Sequence, residues 1–267
     1  MNVVLKTLVI LPTYKEKETL PVILVKVLSL DGFDMLIIDD SSPDGTAELA
    51  EHWSHQYDRI KLIRRPRKMG LGTAYLTGFR WGLENNYDCV VEMDSDLSHN
   101  PLDLPKFQDA IATGADLVVG SRYMNGTISV VGWDFRRLLL SKMGNLYASK
   151  LLGLQVADLT SGFRAYSKRA LEKIDLAGVR SEGYAFQIEM AYLVARNGFR
   201  IHEIPIIFTE RLTGTSKMSK EIIREAVWIP FRLRFAELKN FLKGLFVRKK
   251  KALDKKTLNK KTMDREA

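Results

Sequence analysis

Several protein classes are excluded by what this 267-residue sequence lacks. It has a single cysteine, Cys89, so no disulfide framework can form within the chain, and a reducing compartment fits. Cys89 falls inside an apolar run and reads as a small buried residue rather than a nucleophile. No apolar run of about 18 residues is free of charge, so no transmembrane helix is expected. The N-terminal MNVVLKTLVILPTYKE is apolar in part, but it has no basic leading region and no small-residue cleavage site. It reads as a first strand, not a signal peptide. No repeat or low-complexity block precedes the C-terminal segment.

What is present is enough apolar material, 46% of residues, for one substantial core. Charge is unevenly placed. From Lys217 to Ala267 there are 16 Lys and Arg against 6 Asp and Glu; residues 1–216 hold 25 against 26. A neutral body thus carries a basic C-terminal segment, which points to an anionic partner, either lipid or nucleic acid.

Continuous apolar runs at 7–11, 35–39, 60–63, 89–93, 116–120 and 200–208 read as strands. They alternate with helical patterns at 18–28, from Thr46 onward, at 72–84, 104–112, 135–152 and 184–196. This alternation predicts βαβ units and a mainly parallel sheet covered on both faces, an α/β fold. Ligands of such sheets bind outside the carboxyl ends of the strands. That rule gathers residues 12–16, 39–44, 94–98 and 121–123 on one rim. Beyond them, 220–247 reads as a basic amphipathic helix broken at Pro230, and 248–267 as a disordered basic tail.

The rim carries the chemistry. Asp94 and Asp96 sit on alternate residues where a strand ends, a spacing that lets two carboxylates share one hard divalent cation. Ser95 between them points away or packs. Asp39 and Asp40 end a neighbouring strand; one can accept hydrogen bonds from a nucleobase or ribose, and the other suits an Asx turn. Lys68 and the glycines of KMGLGT supply a cation and a loop before a helix N-terminus, able to approach a phosphate. The spacing is not that of a P-loop.

In this order PTYKE, IIDDSSPDGT, KMGLGTAY, EMDSDLSH, GSRY, DLTSGFRAY, EGYAFQIEM and TERLTGTSKMS resemble a family 2 glycosyltransferase of GT-A (Rossmann-like) fold. Within that family they are similar to polyprenol (dolichol) monophosphate mannose synthases, over roughly residues 8–224. The resemblance implies a catalytic domain at 1–219, amphipathic interfacial helices at 220–247 and the tail at 248–267. It places Pro12, Tyr14 and Glu16 in a nucleotide-contacting loop, with Asp40 and Asp39 at the base and ribose. Lys68, Gly70, Ser95, Arg211 and Lys217 complete the nucleotide-sugar set. Asp94 and Asp96 match the pair that holds Mg2+ or Mn2+, with Ser98 where many members carry Gln. Arg122, Arg136 and Arg137 are implied near the acceptor phosphate, the sequence leaving open which of the adjacent pair faces it. Asp158 either orients an arginine or helps hold the acceptor, and Arg164 is an internal ion pair or a site residue. His99, Glu182 and Gln187 read as structural.

The implied reaction transfers mannose from GDP-mannose to polyprenyl (dolichyl) phosphate with inversion, with Asp94, Asp96, Arg122 and Arg136 as the catalytic set. A UDP-sugar donor is the alternative. A nucleic-acid-binding role for the basic tail is opposed by the acidic rim and by aromatics at helical spacing. Leucines in 135–152, and Trp228, Phe231 and Phe235 among basic residues, imply peripheral attachment to an anionic, cytosolic membrane face. A buried leucine stripe and a merely solubilising tail is the other reading.

Overall fold

The computed structural model describes residues 5–124, 126–210 and 224–235, together with 237 and 239. Its centre is a seven-stranded sheet in the order β3-β2-β1-β4-β7-β5-β8. The strands are β1 (Thr7–Thr13), β2 (Phe33–Asp39), β3 (Ile60–Arg64), β4 (Cys89–Glu92), β5 (Leu117–Ser121), β7 (Arg164–Ser167) and β8 (Ile201–Pro205). All neighbours pair in parallel except β7, which runs antiparallel to both β4 and β5. A two-stranded parallel ribbon, β6 (Val130–Val131) with β9 (Phe208–Thr209), stands beside the sheet.

Side-chain alternation explains why the strands read as unbroken apolar runs. Leu8 and Ile10 of β1 enter one core with Leu36 and Ile38 of β2. Val9 and Leu11 enter the opposite core with Met35 and Ile37. Both faces are therefore dry. Helices α1 (Leu20–Leu28), α2 (Thr46–Gln56) and α4 (Leu104–Ala112) contribute to one core. The other takes α3 (Leu71–Glu84), α6 (Lys168–Lys173), α7 (Gly183–Arg196) and the last turns of α5 (Phe135–Leu152).

Helix α3 approaches β1 closely because Gly78 has no side chain. A Cβ there would stand 2.8 Å from both Cγ1 and Cγ2 of Ile10. Gly78→Ala is expected to cost about 1–3 kcal/mol through overpacking, read as a lower urea midpoint at unchanged m-value.

Three details differ from the sequence expectation. The run at 200–208 is two strands, because the chain leaves the sheet after Pro205 and pairs with β6. Strand β7 was not expected, its four residues beginning with an arginine. The helix at 224–235 continues through Pro230, with Ile229 and Leu233 buried on the core on either side of it.

In α5 the buried residues are Asn145, Ala148 and Leu152, all in its second half. Phe135 is 75% exposed, Leu140 55% and Met143 60%, so most of the leucine stripe is not core. The 224–235 helix leans on α5: the Tyr147 hydroxyl donates to the Val227 carbonyl at 2.9 Å, and the Tyr147 and Phe231 rings lie 6.0 Å apart. Trp228, at 65%, and Phe235, at 71%, face outward. Among the described residues no helix is long and apolar enough to cross a membrane.

Candidate active site

The carboxyl ends of β1, β2 and β4 open into a cavity of about 600 Å³. Three of the four non-glycine residues with positive φ among those described, Lys15, Ser41 and Leu97, lie on the loops that leave these strands. Such conformations concentrate where surrounding structure fixes a site.

One wall comes from the loop after β1, which brings Pro12, Tyr14 and Glu16 to the cavity. The Lys68 ammonium lies 4.4 Å from the Tyr14 ring centroid, a cation–π contact across the mouth. Ser95 also touches the cavity, but its hydroxyl donates to the Pro12 carbonyl, and its own carbonyl accepts from Thr19 at 2.7 Å. It braces the β1 and β4 rims.

The two adjacent carboxylates ending β2 divide their roles as alternation requires. Asp40 faces the cavity. Its carboxylate is paired with the buried Arg65 and accepts the Met69 amide at 3.2 Å. Asp39 does not face it, contrary to the nucleotide-contacting role expected for it. Fully buried, it accepts from Thr13 Oγ1 at 2.9 Å and from the Ser42 amide and hydroxyl at 2.9 and 2.6 Å, an Asx turn. Arg65, which sequence reasoning passed over, also donates to Thr73 Oγ1 at 2.7 Å and to the Gly70 carbonyl at 3.0 Å. It thereby fastens Asp40 to the loop carrying Lys68. Gly70, with φ of +97°, is packed against the Glu182 carboxylate, which accepts the Gly72 amide at 2.9 Å at the start of α3. Burial raises the Glu182 pKa, with Glu225 adding to the effect and the Gly72 and Thr73 amides opposing it.

Asp94 and Asp96 both line the cavity. Asp94 is held by the Tyr75 hydroxyl, which donates at 3.1 Å, and by its own amide, which donates to His99 Nδ1 at 3.2 Å. Asp96 accepts the Ser98 amide at 3.1 Å. His99 is buried and stacked on Phe163; burial lowers its pKa despite the two carboxylates, so its neutral ring is part of the frame. Ser98 lies behind the wall, not on the cavity as the expected ligand role requires, and among the described residues its buried hydroxyl has no hydrogen-bond partner. A pair of carboxylates is an all-oxygen donor set that fits a hard cation. Among the described residues no group of three or more His, Cys, Asp or Glu forms a cage, so such a cation would need further oxygens from water and phosphate.

The opposite wall is cationic and aromatic. Arg122 donates through Nε and Nη2 to the two oxygens of Asp158, each at 2.7 Å, and Nη2 also donates to Thr160 Oγ1 at 2.8 Å. Its guanidinium lies 5.2 Å from the Trp133 ring centroid and 5.6 Å from that of Phe208. Asp158 is fully buried and touches no part of the cavity. It orients Arg122, and the acceptor-binding role is corrected accordingly. Of the adjacent arginines, Arg137 lines the cavity, stacked 4.2 Å from Trp133 and ion-paired with Glu210. Arg136 is exposed and lies outside the cavity wall. Neighbouring helix positions point about 100° apart, and here Arg137 is the one turned inward. This removes Arg136 from the expected catalytic set. Arg211 and Lys217 fall outside the described residues. Trp133 and Phe208 were missed; WDFRR flagged only its arginines.

The sequence profile of the family "Glycosyl transferase family 2" matches residues 8–175. Polyprenol monophosphomannose synthase of Mycolicibacterium smegmatis is 49% identical over 225 residues, covering 84% of each chain. Undecaprenyl-phosphate mannosyltransferase of Micrococcus luteus is 46% identical over 224 residues, covering 84% of this chain and 91% of that one. Among solved structures, glucosyl-3-phosphoglycerate synthase from Mycobacterium tuberculosis in complex with Mn2+, UDP-glucose and phosphoglyceric acid has a TM-score of 0.62 at 21% identity. The match covers 85% of this chain and 80% of that one, and speaks for the GT-A-like fold alone. A profile match over most of the sheet, with relatives near half identity along most of the chain, leads to one conclusion: this protein belongs to glycosyltransferase family 2 and is a glycosyltransferase.

Proposed function

We propose that the enzyme transfers mannose from GDP-mannose to the phosphate of a polyprenyl phosphate, releasing GDP. The observation that carries this is one cavity with an acidic pair on one wall, Asp94 and Asp96, and a cationic, aromatic wall opposite, built on Arg122, Arg137 and Trp133. The names of the two curated relatives point the same way.

The nucleotide half binds where Tyr14, Asp40 and Lys68 meet. Asp94 and Asp96 would hold Mg2+ or Mn2+, and the chemistry such an ion would supply there is Lewis-acid stabilisation of negative charge. The acceptor is a phosphate monoester, ionised near neutral pH with a second pKa of roughly 6, so it attacks the anomeric carbon without a general base. Its oxygen forms the new bond to that carbon as the bond to the diphosphate oxygen breaks, the electron pair leaving with GDP. A single displacement inverts the centre. Arg137 is suited to grip the acceptor phosphate: it lines the cavity, among the described residues its Nε has no hydrogen-bond partner, and its ion pair is with the exchangeable Glu210. Arg122, gripped by Asp158, supplies a fixed positive field. The exposed apolar faces of α5 and of 224–235, flanked by basic residues, support peripheral attachment to an anionic membrane surface where the acceptor resides, on the cytosolic face in this reading.

GDP with Mn2+ is expected to raise the melting temperature more than UDP with Mn2+, and EDTA to remove the shift. Equal or larger stabilisation by UDP would count against the donor. Flotation with phosphatidylglycerol vesicles, weakened by salt and absent with pure phosphatidylcholine, is expected; sedimentation away from both would sink the membrane reading.

A further inference from the structure

We propose that Arg164 is a positioning residue for the transfer: without touching substrate, it fixes the two cavity walls relative to each other. Arg164 opens β7 at the centre of the sheet and is fully buried. It pairs with Glu92 on β4 and Val119 on β5, two residues before Asp94 and three before Arg122. A guanidinium is expensive to bury unless its donors are satisfied. Here Nε donates to the Ser161 carbonyl at 2.8 Å, Nη2 to that of Leu159 at 2.6 Å and Nη1 to that of Gln187 at 2.6 Å. The Glu92 carboxyl on β4 accepts from Gln187 Nε2 at 2.7 Å beside it.

Those three carbonyls belong to segments that shape the cavity. Leu159 follows Asp158, the anchor of Arg122, and precedes Thr160, which accepts from Arg122. Ser161 precedes Gly162, where a Cβ would stand 3.7 Å from Asp94 Oδ2 and 3.8 Å from His99 Cε1. Gln187 brings α7 to the cavity. One planar fork therefore ties the Arg122 wall, the Asp94 wall and α7 together. Lysine, a point donor on a flexible stem, cannot span three divergent carbonyls. The effect on transfer rests on the function proposed above; the geometric effect does not.

The test uses full-length Arg164→Lys and Arg164→Gln, labelled with 5-fluorotryptophan. Turnover to polyprenyl phosphate is expected to fall roughly 100-fold, the scale of an ångström-sized misplacement. KM for GDP-mannose should rise by far less than turnover falls, because Tyr14, Asp40 and Lys68 lie outside the clamp and only Asp94 within it. The fluorine resonance of Trp133, which packs on Arg122, should shift or broaden while those of Trp53 and Trp81 stay in place. A purely structural role predicts otherwise: donor KM changes as much as turnover, and Trp133 moves no more than Trp81. That result, or wild-type turnover in Arg164→Lys, overturns the proposal. If Arg164→Gln does not fold, Thr160→Val, one contact further on, carries the test. It should move the same resonance, and an unmoved Trp133 with wild-type turnover would contradict the proposal. If the wild-type protein transfers no mannose, the function fails while the fluorine spectra still decide the clamp.

Discussion

Asp94→Asn and Asp96→Asn are each expected to lower transfer by on the order of 10³-fold while leaving the protein folded. Both carboxylates line the cavity and are only half-buried, so neither substitution opens a void. Asparagine preserves size and can still accept from Tyr75 or from the Ser98 amide. What it removes is negative charge, and with it the affinity for a hard cation. The melting temperature should hold or rise slightly, since two like charges at a strand end repel each other. The Mn2+-dependent part of GDP stabilisation should vanish in both variants. Either variant keeping a tenth of wild-type turnover would show that the pair does not carry the chemistry assigned to it.

Arg122→Met should be the most destabilising of the substitutions considered. Asp158 is fully buried and Arg122 only 4% exposed, so the carboxylate would lose two hydrogen bonds and its countercharge together, keeping the backbone amide of residue 122. Breaking a buried pair from one side costs about 3–5 kcal/mol, or about 6–20 °C in a domain of this size. Replacing both partners, as Arg122→Met with Asp158→Leu, should cost much less because no charge is stranded. The pair also has a pH signature. Burial alone raises the Asp158 pKa, but the Arg122 charge and hydrogen bonds outweigh it and hold the group below its ordinary 3.8. The folded protein thus binds this proton more weakly than the unfolded chain. The stabilisation is complete above the unfolded value and is lost as pH falls through the lower, folded one. In Arg122→Met the stranded carboxylate takes up a proton readily, so the stability gap to wild type should narrow between pH 7 and pH 3. Urea unfolding at the two pH values measures it, and a constant gap would contradict the buried pair.

How far this was legible in the sequence depends on which interactions set each feature. Strands β1, β2, β4 and β5 and their helices were readable because burial on both faces makes the apolar runs continuous. The rim followed from the rule that loops at strand carboxyl ends form the site. Adjacent residues were harder, because phase is a property of the finished element. Asp39 and Asp40 differ only in which side of β2 they leave, and Arg136 and Arg137 only in their angle on α5. Strand β7 was not readable: four residues led by arginine become a strand because β4 and β5 offer hydrogen bonds on both sides. Arg65 and Arg164 were obscured for a related reason. Arg65 pairs with the Asp40 carboxylate and Arg164 binds the Gln187 carbonyl, each more than 20 residues away, and composition carries no trace of that.

The central claim is tested most directly by incubating the full-length protein with labelled GDP-mannose, polyprenyl phosphate and Mg2+ or Mn2+, with and without EDTA. Lipid-extractable label should then be analysed for anomeric configuration. The expected product is β-linked polyprenyl phosphate mannose, formed only when metal is free. Label entering lipid from UDP-glucose alone, an α-linked product, or transfer undiminished by EDTA would contradict it.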